Sequence, residues 1–488
     1  MLNSFRGIRI HPHAYLSKSR ETQHTMIVGP IGSGRTPVLS YMLKDIVKTL
    51  ESRQGSRLIL FDTKGDFLSG LQLPKNMGYH LFSENDSRSS VWAVGKDITT
   101  EAEAKLFATQ LLYSLDQDKN KENLKKDINV LTNMIISLQK QHGESWYWET
   151  LVLSAMDAGL NGVARTLIPL TYGHKPKFSF KEWISQSGDD RPVLFFKASP
   201  GCSDSRLDQK KWISAFAATF CQHIVETQSP TPSDKRFWLV FSDHNAFPPV
   251  LNLPTKLQDL GSRGVACVFI VNEIEDLRKQ YGEFSGDILA LSCKTRVILR
   301  HSGKLTNLWA KHVLGNSGDG MRLLGSPPEN SGVSAEGAGV MGLNDQVLSS
   351  LGPTDQGIDG ILILSSNNGV YRLTWPYTHY STERKQFEKH VPDLETKNLV
   401  LYEQSFLGGK IIYGFRRFDN SVFGTLEHDK RGATILEWTS KNPESSILTL
   451  VDLRQLYPWI GISLSEKSYE EKEFWSEMAK SGLVEMLV

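Results

Sequence analysis

The run from His24 to Leu50 constrains this chain more than any other, because it joins three local signals in one order. Thr25-Met-Ile-Val-Gly29 is an apolar run suited to a buried strand, and Gly29-Pro-Ile-Gly-Ser-Gly34-Arg35-Thr36 is a glycine-rich turn. From Pro37 to Leu50 the apolar residues recur at helical spacing. Proline costs little in the first turn of a helix, where its missing N–H would have no intrahelical partner, so Pro37 supports the boundary rather than breaking the helix. Strand, glycine loop and helix in this order predict successive backbone N–H groups converging on an anion, aided by the helix dipole. Gly29 to Thr36 keeps the spacing G-x-x-x-x-G-K-[ST] of a Walker A loop, with Arg35 in place of lysine. On this reading Gly29, Pro30, Ile31, Gly32, Ser33, Gly34, Arg35, Thr36 and Pro37 form a triphosphate site expected to take ATP with Mg2+, and Thr36 supplies a hydroxyl that helps hold the metal. A guanidinium is broader than an ammonium and does not simply replace it in a packed site, so binding is expected to survive better than catalysis. A plain flexible turn is the bland alternative, disfavoured by the flanking strand and helix. A dinucleotide loop is the chemical rival, with Asp62 its one candidate for the ribose-binding acid.

At 488 residues the chain exceeds one hydrophobic core, and about two to four domains are expected. The 55 Lys and Arg balance 54 Asp and Glu, so net charge does not decide for or against nucleic acid; local clustering would. Cys202, Cys221, Cys267 and Cys293 form no ligand-like spacing, which argues against a zinc site or a disulfide framework and for a reducing compartment. No apolar run has the length of a membrane-spanning helix, so a cytoplasmic protein without direct membrane insertion is expected.

Arg57-Leu-Ile-Leu-Phe-Asp62 reads as a second apolar strand, and the β-α-β alternation predicts an α/β fold with a mainly parallel sheet covered on both faces. From about 98 to 183 the pattern is helical, after which strand signals return at 192 to 199, 237 to 243, 265 to 272 and 295 to 300. Residues 315 to 360, rich in Gly, Ser, Asn and Pro, read as a long surface loop or pore-facing segment, and 361 to 377 as a hairpin turning at Ser366-Asn-Asn-Gly369. Past Ser381, short aromatic-rich strand-like runs and a charged helix suggest a small C-terminal α+β accessory domain. The expected organisation is thus a nucleotide-binding domain from 1–96 and 186–380, an all-α inserted domain at 97–185 and the accessory domain at 381–488. No repeat of solenoid period is present.

Two short strings flank the first two strands in register: Glu21-Thr-Gln-His24 before the loop and Asp62-Thr-Lys-Gly-Asp-Phe67 after the second strand. Both resemble conjugative, or type IV secretion, coupling proteins of the TraD/TrwB type, in which an E-T-x-H run precedes the phosphate loop and D-x-K-G-E/D-F follows the next strand. Phe178 to Ser185, Phe237 to Leu257, Ile270 to Glu283, Thr295 to Arg300 and Leu308 to Gly315 extend the resemblance in order, over roughly residues 5 to 380. It implies a RecA-like P-loop domain with an all-α insertion, a homo-oligomer (a hexameric ring in the family) or a hetero-assembly, and DNA as partner. Other protein components would be met through the C-terminal domain. The family's membrane-anchoring N-terminal segment has no match here, which adds to the expectation of a cytoplasmic protein.

Departures from the family pattern fall on its chemistry. Besides Arg35, the resemblance aligns Ser242 with the magnesium-binding Asp and Asp243 with the catalytic Glu. A one-residue slip would make Asp243 the metal ligand and put His244 in the water-activating position. Asn272 stands for the γ-phosphate-sensing Gln, and the arginine finger aligns with Gly261, with Arg263 two residues away and Arg296 and Arg300 as candidates acting across a subunit boundary. The catalytic candidates are therefore Asp243, Arg263, Asn272 and Arg296, and the metal ligands Thr36 and Asp243. Losing an arginine finger alone costs about 10³ to 10⁵ in rate, so the expectation is a nucleotide- and DNA-binding protein with weakened or lost hydrolysis. An active ATP-driven DNA translocase and a pseudo-ATPase interaction scaffold are the alternatives. The resemblance also puts His24 near the nucleotide, against the plainer reading of a structural histidine. Lys64 and Asp66 end a parallel strand, the edge where such sheets bind ligands, or a plain surface turn. Phe415-Arg-Arg-Phe418 suits base stacking, although short amphipathic strands look the same, and the lysines of 121 to 126 read as a solvated helix face.

Overall fold

The computed structural model describes most of residues 7 to 386, the longest stretch outside the description being 324 to 347, and beyond these chiefly the strands between 399 and 440. The chain divides into two compact units, one of residues 1–83, 180–200 and 216–387, the other of 84–179, 201–215 and 388–488.

The first unit is built on an 11-stranded sheet. Its main strands in chain order are β1 (Thr25–Val28), β2 (Arg57–Phe61), β3 (Tyr79–Phe82), β4 (Val193–Phe196), β5 (Phe237–Phe241), β6 (Val265–Val271), β7 (Thr295–Ile298), β8 (Gly357–Leu364) and β9 (Val370–Trp375). They lie in the order β9-β8-β7-β1-β6-β5-β2-β4-β3. Every pair from β7 across to β3 is parallel, whereas β8 and β9 form an antiparallel hairpin on the β7 side. Parallel strands with both faces covered need near-continuous apolar sequence, which Phe237 to Phe241 and Val265 to Val271 provide with every residue buried.

The register of these strands stacks phenylalanines into a ladder that no single strand reveals. Phe82, Phe196, Phe61, Phe241 and Phe269 come from five adjacent strands. Their successive ring centroids are 5.0, 5.1, 4.5 and 5.3 Å apart. Centroid separations of this size are where aromatic pairs gain attraction beyond the area they bury.

At the opposite, amino-terminal edge the sheet is closed by a buried ionic clasp. The Glu21 carboxylate receives Arg53 Nη1 at 2.5 Å and Nη2 at 2.9 Å, and Arg236 Nε at 3.0 Å, with all three side chains nearly inaccessible. His24 completes the clasp: its ring lies 2.7 Å from the Leu257 carbonyl through Nε2, and Nδ1 accepts the Cys267 N–H at 3.2 Å. Burial pushes this imidazole down to about 4. His24 therefore sits at the start of β1, the end away from the glycine loop, and not beside a nucleotide as the resemblance implied. The E-T-x-H string is a scaffold element in this chain.

In the second unit helices Glu101–Leu115, Lys121–His142, Trp148–Asp157 and Asn161–Leu167 occur with buried Trp92, Phe107 and Trp148; the Trp92 indole N–H donates to Asp97 at 2.7 Å and the Trp148 indole N–H to the Trp92 carbonyl at 2.9 Å. The unit also holds an antiparallel four-stranded meander: Leu399–Leu407, Lys410–Arg417, Val422–Asp429 and Gly432–Ser440. Phe415, Arg416 and Arg417 lie on its second strand. The charged helix expected near the C-terminus and most of the 315 to 360 segment lie outside the described residues.

Removing one member of a buried ion cluster leaves its partners charged and unpaired, at a cost of about 3–5 kcal/mol. Glu21→Gln is expected to lower the calorimetric melting temperature of the first unit markedly. An unchanged melting curve would show that the two arginines find other partners.

Candidate functional site

β1 lies between β6 and β7, parallel to both, and the chain leaving its carboxyl end at Val28 must turn at once. Gly29 donates its N–H to the Val271 carbonyl at 3.0 Å, and Ser33 donates to Pro30 at 3.1 Å, which curls the loop. Gly34 sits at φ 97°, a left-handed conformation that glycine adopts freely, and a Cβ there would meet Ile358 Cγ2 at 2.4 Å. Helix α1 (Arg35–Ser52) starts directly after it, leaving its first-turn N–H groups without intrahelical partners beside the loop. Ile31 projects from the loop into solvent, while Ser33 is fully buried with its hydroxyl unpartnered among the described residues.

Arg35, the residue in the lysine position, is buried and donates from Nη1 to Asn272 Oδ1 in a close contact. Burial lowers its pKa, and the charges of Asp243 and then Asp276 act in the opposite sense. Given arginine's intrinsic basicity the group remains a cation. Three sequence-derived candidates, Arg35, Asn272 and Asp243, are thus brought together at the carboxyl edge of the sheet. Asp276 joins them without having been singled out from the sequence. It lies in the first turn of helix α2 (Ile274–Tyr281), where acidic side chains suit the helix dipole, and only the rotation of that helix decides which of Glu275 and Asp276 influences Arg35.

The end of β5 is the region where the family pattern calls for carboxylates. Ser242 turns back into the sheet, its N–H and Oγ both donating to the Phe61 carbonyl, at 3.1 and 2.8 Å. Asp243 is half-buried and precedes a short 3-10 turn, His244–Ala246. His244 is buried in an aromatic box: its ring stacks on Tyr281 at 5.7 Å and meets Phe241 and Phe269 edge-on at 5.4 and 5.2 Å. Neither ring nitrogen has a hydrogen-bond partner among the described residues, and burial holds the imidazole down to about 3. A neutral ring sealed in this way is unsuited to activating water. The box is fixed from α2, whose Tyr281 hydroxyl receives the Val250 N–H at 3.2 Å and whose Gln280 amide donates to the Phe247 carbonyl.

The remaining candidates serve as local fastenings. Arg263 caps the end of the helix Leu253–Ser262, its guanidinium donating to the Gln228 carbonyl and to Asp259 Oδ1 at 3.1 Å. Arg296 donates to the carbonyls of Ala290 and Leu291 and lies 5.9 Å from the Trp309 ring. Asp62 accepts the N–H groups of Gly65, Phe67 and Leu68 at 3.1, 2.9 and 2.8 Å and shapes the turn after β2, while burial pushes its carboxyl up to about 6 against those bonds. Lys64 and Asp66 of that turn are exposed.

Magnesium is ordinarily held in such sites by one or two carboxylates, a hydroxyl, water and the substrate's phosphates. Here Thr36 is exposed and offers the hydroxyl, the half-buried Asp243 offers one carboxylate, and Ser242, uncharged, donates its hydroxyl proton to the Phe61 carbonyl. Thr36 and Asp243 are therefore the residues that would hold a divalent cation, with a single carboxylate where the resemblance implies two.

A family model for the type IV secretion-system coupling protein DNA-binding domain matches residues 9–168 and 152–318. The chain belongs to that family. Its coupling-protein fold is shared with solved structures of similar architecture. The bacterial conjugative coupling protein TrwB with sulphate aligns with a TM-score of 0.57 at 14% identity, over 79% of this chain and 92% of that one. Plasmid coupling protein TrwB with ADP and Mg2+ gives 0.58 at 15% identity over 78% and 91%, and TrwB with the non-hydrolysable ATP analogue ADPNP gives 0.58 at 15% over 79% and 92%. The α/β RecA-like P-loop class expected from the sequence is the class observed. None of the curated proteins matches the chain. Among the described residues of this coupling-family chain, no helix is long and apolar enough to cross a membrane.

Two unpartnered buried nitrogens cost stability, so His244→Phe is expected to stabilise the protein by about 1–3 kcal/mol near neutral pH. The unfolded imidazole protonates near 6.5 while the folded one resists until about 3. The wild type therefore loses stability as pH falls through that window, and the variant's advantage should widen. Melting temperatures of both proteins between neutral and acid pH would reveal a constant difference if His244 were solvated.

Proposed function

We propose that this chain binds a nucleotide at the loop Gly29–Thr36 and engages DNA within a DNA-handling assembly, while hydrolysing ATP weakly or not at all. The observation that carries the reading is the end of β5, where a serine hydroxyl bonded into the sheet and a sealed, neutral histidine flank Asp243. The loop beside it keeps the glycines, the turn and the helix start that an anion site requires. Membership of a family described by its DNA-binding domain supports the DNA partner. The TrwB structures with ADP and Mg2+ and with ADPNP support nucleotide as ligand.

In this reading Asn272 and Arg35 contact the outer phosphates, Thr36 and the loop amides complete the cradle, and Asp243 is a residual carboxylate without a partner general base. Within one chain Arg263 and Arg296 are engaged with carbonyl oxygens, so they take no part in the chemistry of their own loop. The nucleotide-binding domain is assigned to 1–96 and 186–380, the helical insertion to 97–185 and the accessory module to 381–488. Assembly into a homo-oligomer or with other proteins belongs to the same proposal.

Binding and turnover should be measured separately. Calorimetry with ADPNP is expected to give saturable heat that Arg35→Ala abolishes, while ATP turnover stays near background with or without DNA. DNA affinity should fall linearly on a log scale with salt, as counterion release requires. Robust DNA-stimulated hydrolysis lost in Arg35→Ala would sink the proposal in favour of a working translocase, and absence of any nucleotide heat would leave only a protein-interaction role.

A further inference from the structure

The glycine loop has a second flank, built by the end of β7 and the start of β8. β7 runs parallel to β1 in register, and Leu299 extends the ladder by donating its N–H to the Val28 carbonyl at 2.9 Å. Arg300 therefore leaves the sheet level with the first residues of the loop, on the side of β1 away from Asn272 and Asp243. Its side chain is exposed and has no hydrogen-bond or ion-pair partner among the described residues.

Past the end of β7 the short strand Gly352–Thr354 takes over the pairing with β8: Ile298 lies opposite Ile361, and Gly352 opposite Asp359. Asp355 and Gln356 turn the chain back, with Thr354 Oγ1 donating to the Gly357 carbonyl at 3.0 Å. The result is a ridge that stands beyond the strand ends beside the loop. Gly352, at φ 107°, permits this approach, since a Cβ there would lie 3.1 Å from Arg300 Cβ and 3.7 Å from the Ser33 carbonyl oxygen. Tyr377, just after β9, is tied to the same ridge by donating its hydroxyl to the Thr354 carbonyl at 2.8 Å, yet the residue is 46% exposed.

We infer that this ridge receives the nucleoside end of the nucleotide, Arg300 pairing in its own chain with the inner phosphate and the Tyr377 ring stacking on the base. This deepens the nucleotide-binding reading above and rests on it. A nucleoside triphosphate is an extended ligand, and its outer phosphates are drawn to Arg35 and Asn272 on the β6 side of the loop. Sugar and base then leave the loop on the β7 side, where the ridge stands. A guanidinium bond to phosphate is charge-assisted, and stacking on an aromatic ring suits any base, because every base has a π face. A ring already held by its hydroxyl loses less freedom when a base settles on it.

Calorimetry of the full chain with ADPNP and with inorganic tripolyphosphate, Mg2+ present throughout, separates the two ends of the ligand. The wild type is expected to bind ADPNP at least about tenfold more tightly than tripolyphosphate. Tyr377→Ala should lower ADPNP affinity by about tenfold and leave tripolyphosphate within about twofold, and Tyr377→Phe, which keeps the ring, should recover most of the loss. Arg300→Gln should weaken both ligands by about fivefold or more. Equal wild-type affinity for the two ligands, or ADPNP affinity unmoved in Tyr377→Ala, would overturn the inference while leaving the phosphate loop in place. Arg300→Gln binding both ligands as the wild type does would overturn the part given to the arginine. Binding of neither ligand by the wild type would overturn this inference together with the reading beneath it.

Discussion

Burial of both faces of a parallel sheet is the constraint on which the rest of this structure depends. Strands β7, β1, β6, β5, β2, β4 and β3 run the same way, and their side chains are packed against covering layers on either face. Polar chemistry is then confined to the strand ends, where the chain leaves the sheet. At the carboxyl edge β1 delivers the glycine loop, β6 delivers Asn272 and β5 delivers Ser242 and Asp243. Neighbouring strand ends are about 5 Å apart, so residues hundreds of positions apart in sequence become a single site.

The phenylalanine ladder links that sheet to the site. Five rings in register make the interior just beneath the carboxyl edge apolar, and His244 continues the ladder by standing edge-on to Phe241 and Phe269. An imidazole in this position acts as an aromatic filler whose nitrogens have been desolvated. Its neighbours explain why: Tyr281 and Gln280 hold the segment after β5 against α2, closing the ring off from water. Chemistry at the end of β5 is therefore limited by packing that originates deep in the sheet.

Much of the frame was legible in the sequence. Apolar runs such as Val265 to Val271 announce buried parallel strands, and Gly29 to Thr36 announces an anion loop, because both depend on neighbours along the chain. The ladder was illegible: each strand shows one or two phenylalanines, and only the register makes them a column. Arg35 and Asn272 are 237 positions apart, and nothing local says that one would bond the other. Asp276 carries no signal in the sequence, because its side depends on helix rotation. His24 shows the converse difficulty. The resemblance implies a place near the nucleotide for His24 and the plainer reading a structural one; the plainer reading holds, since Glu21 and His24 bind Arg53, Arg236, Leu257 and Cys267 at the far edge of the sheet. A motif can persist because it holds the scaffold, and residue types alone do not separate that role from chemistry.

The changes at the loop and at the end of β6 are sterically reciprocal. Where the family pattern has lysine and glutamine, this chain has a longer, broader cation in Arg35 and an amide shorter by one methylene in Asn272. Arginine gains over lysine about the reach that asparagine loses against glutamine, so the summed reach across the gap between the two strand ends is nearly kept. Together the two residues span it with a direct hydrogen bond. The pair therefore behaves as a unit, and changing either residue alone towards the family type should disturb the site more than changing both, since contacting residues do not contribute additively. A double-mutant cycle on Arg35→Lys and Asn272→Gln, read by nucleotide affinity, would measure that coupling directly. Near-zero coupling would mean that the bond between them is incidental, and that each residue met the cradle on its own.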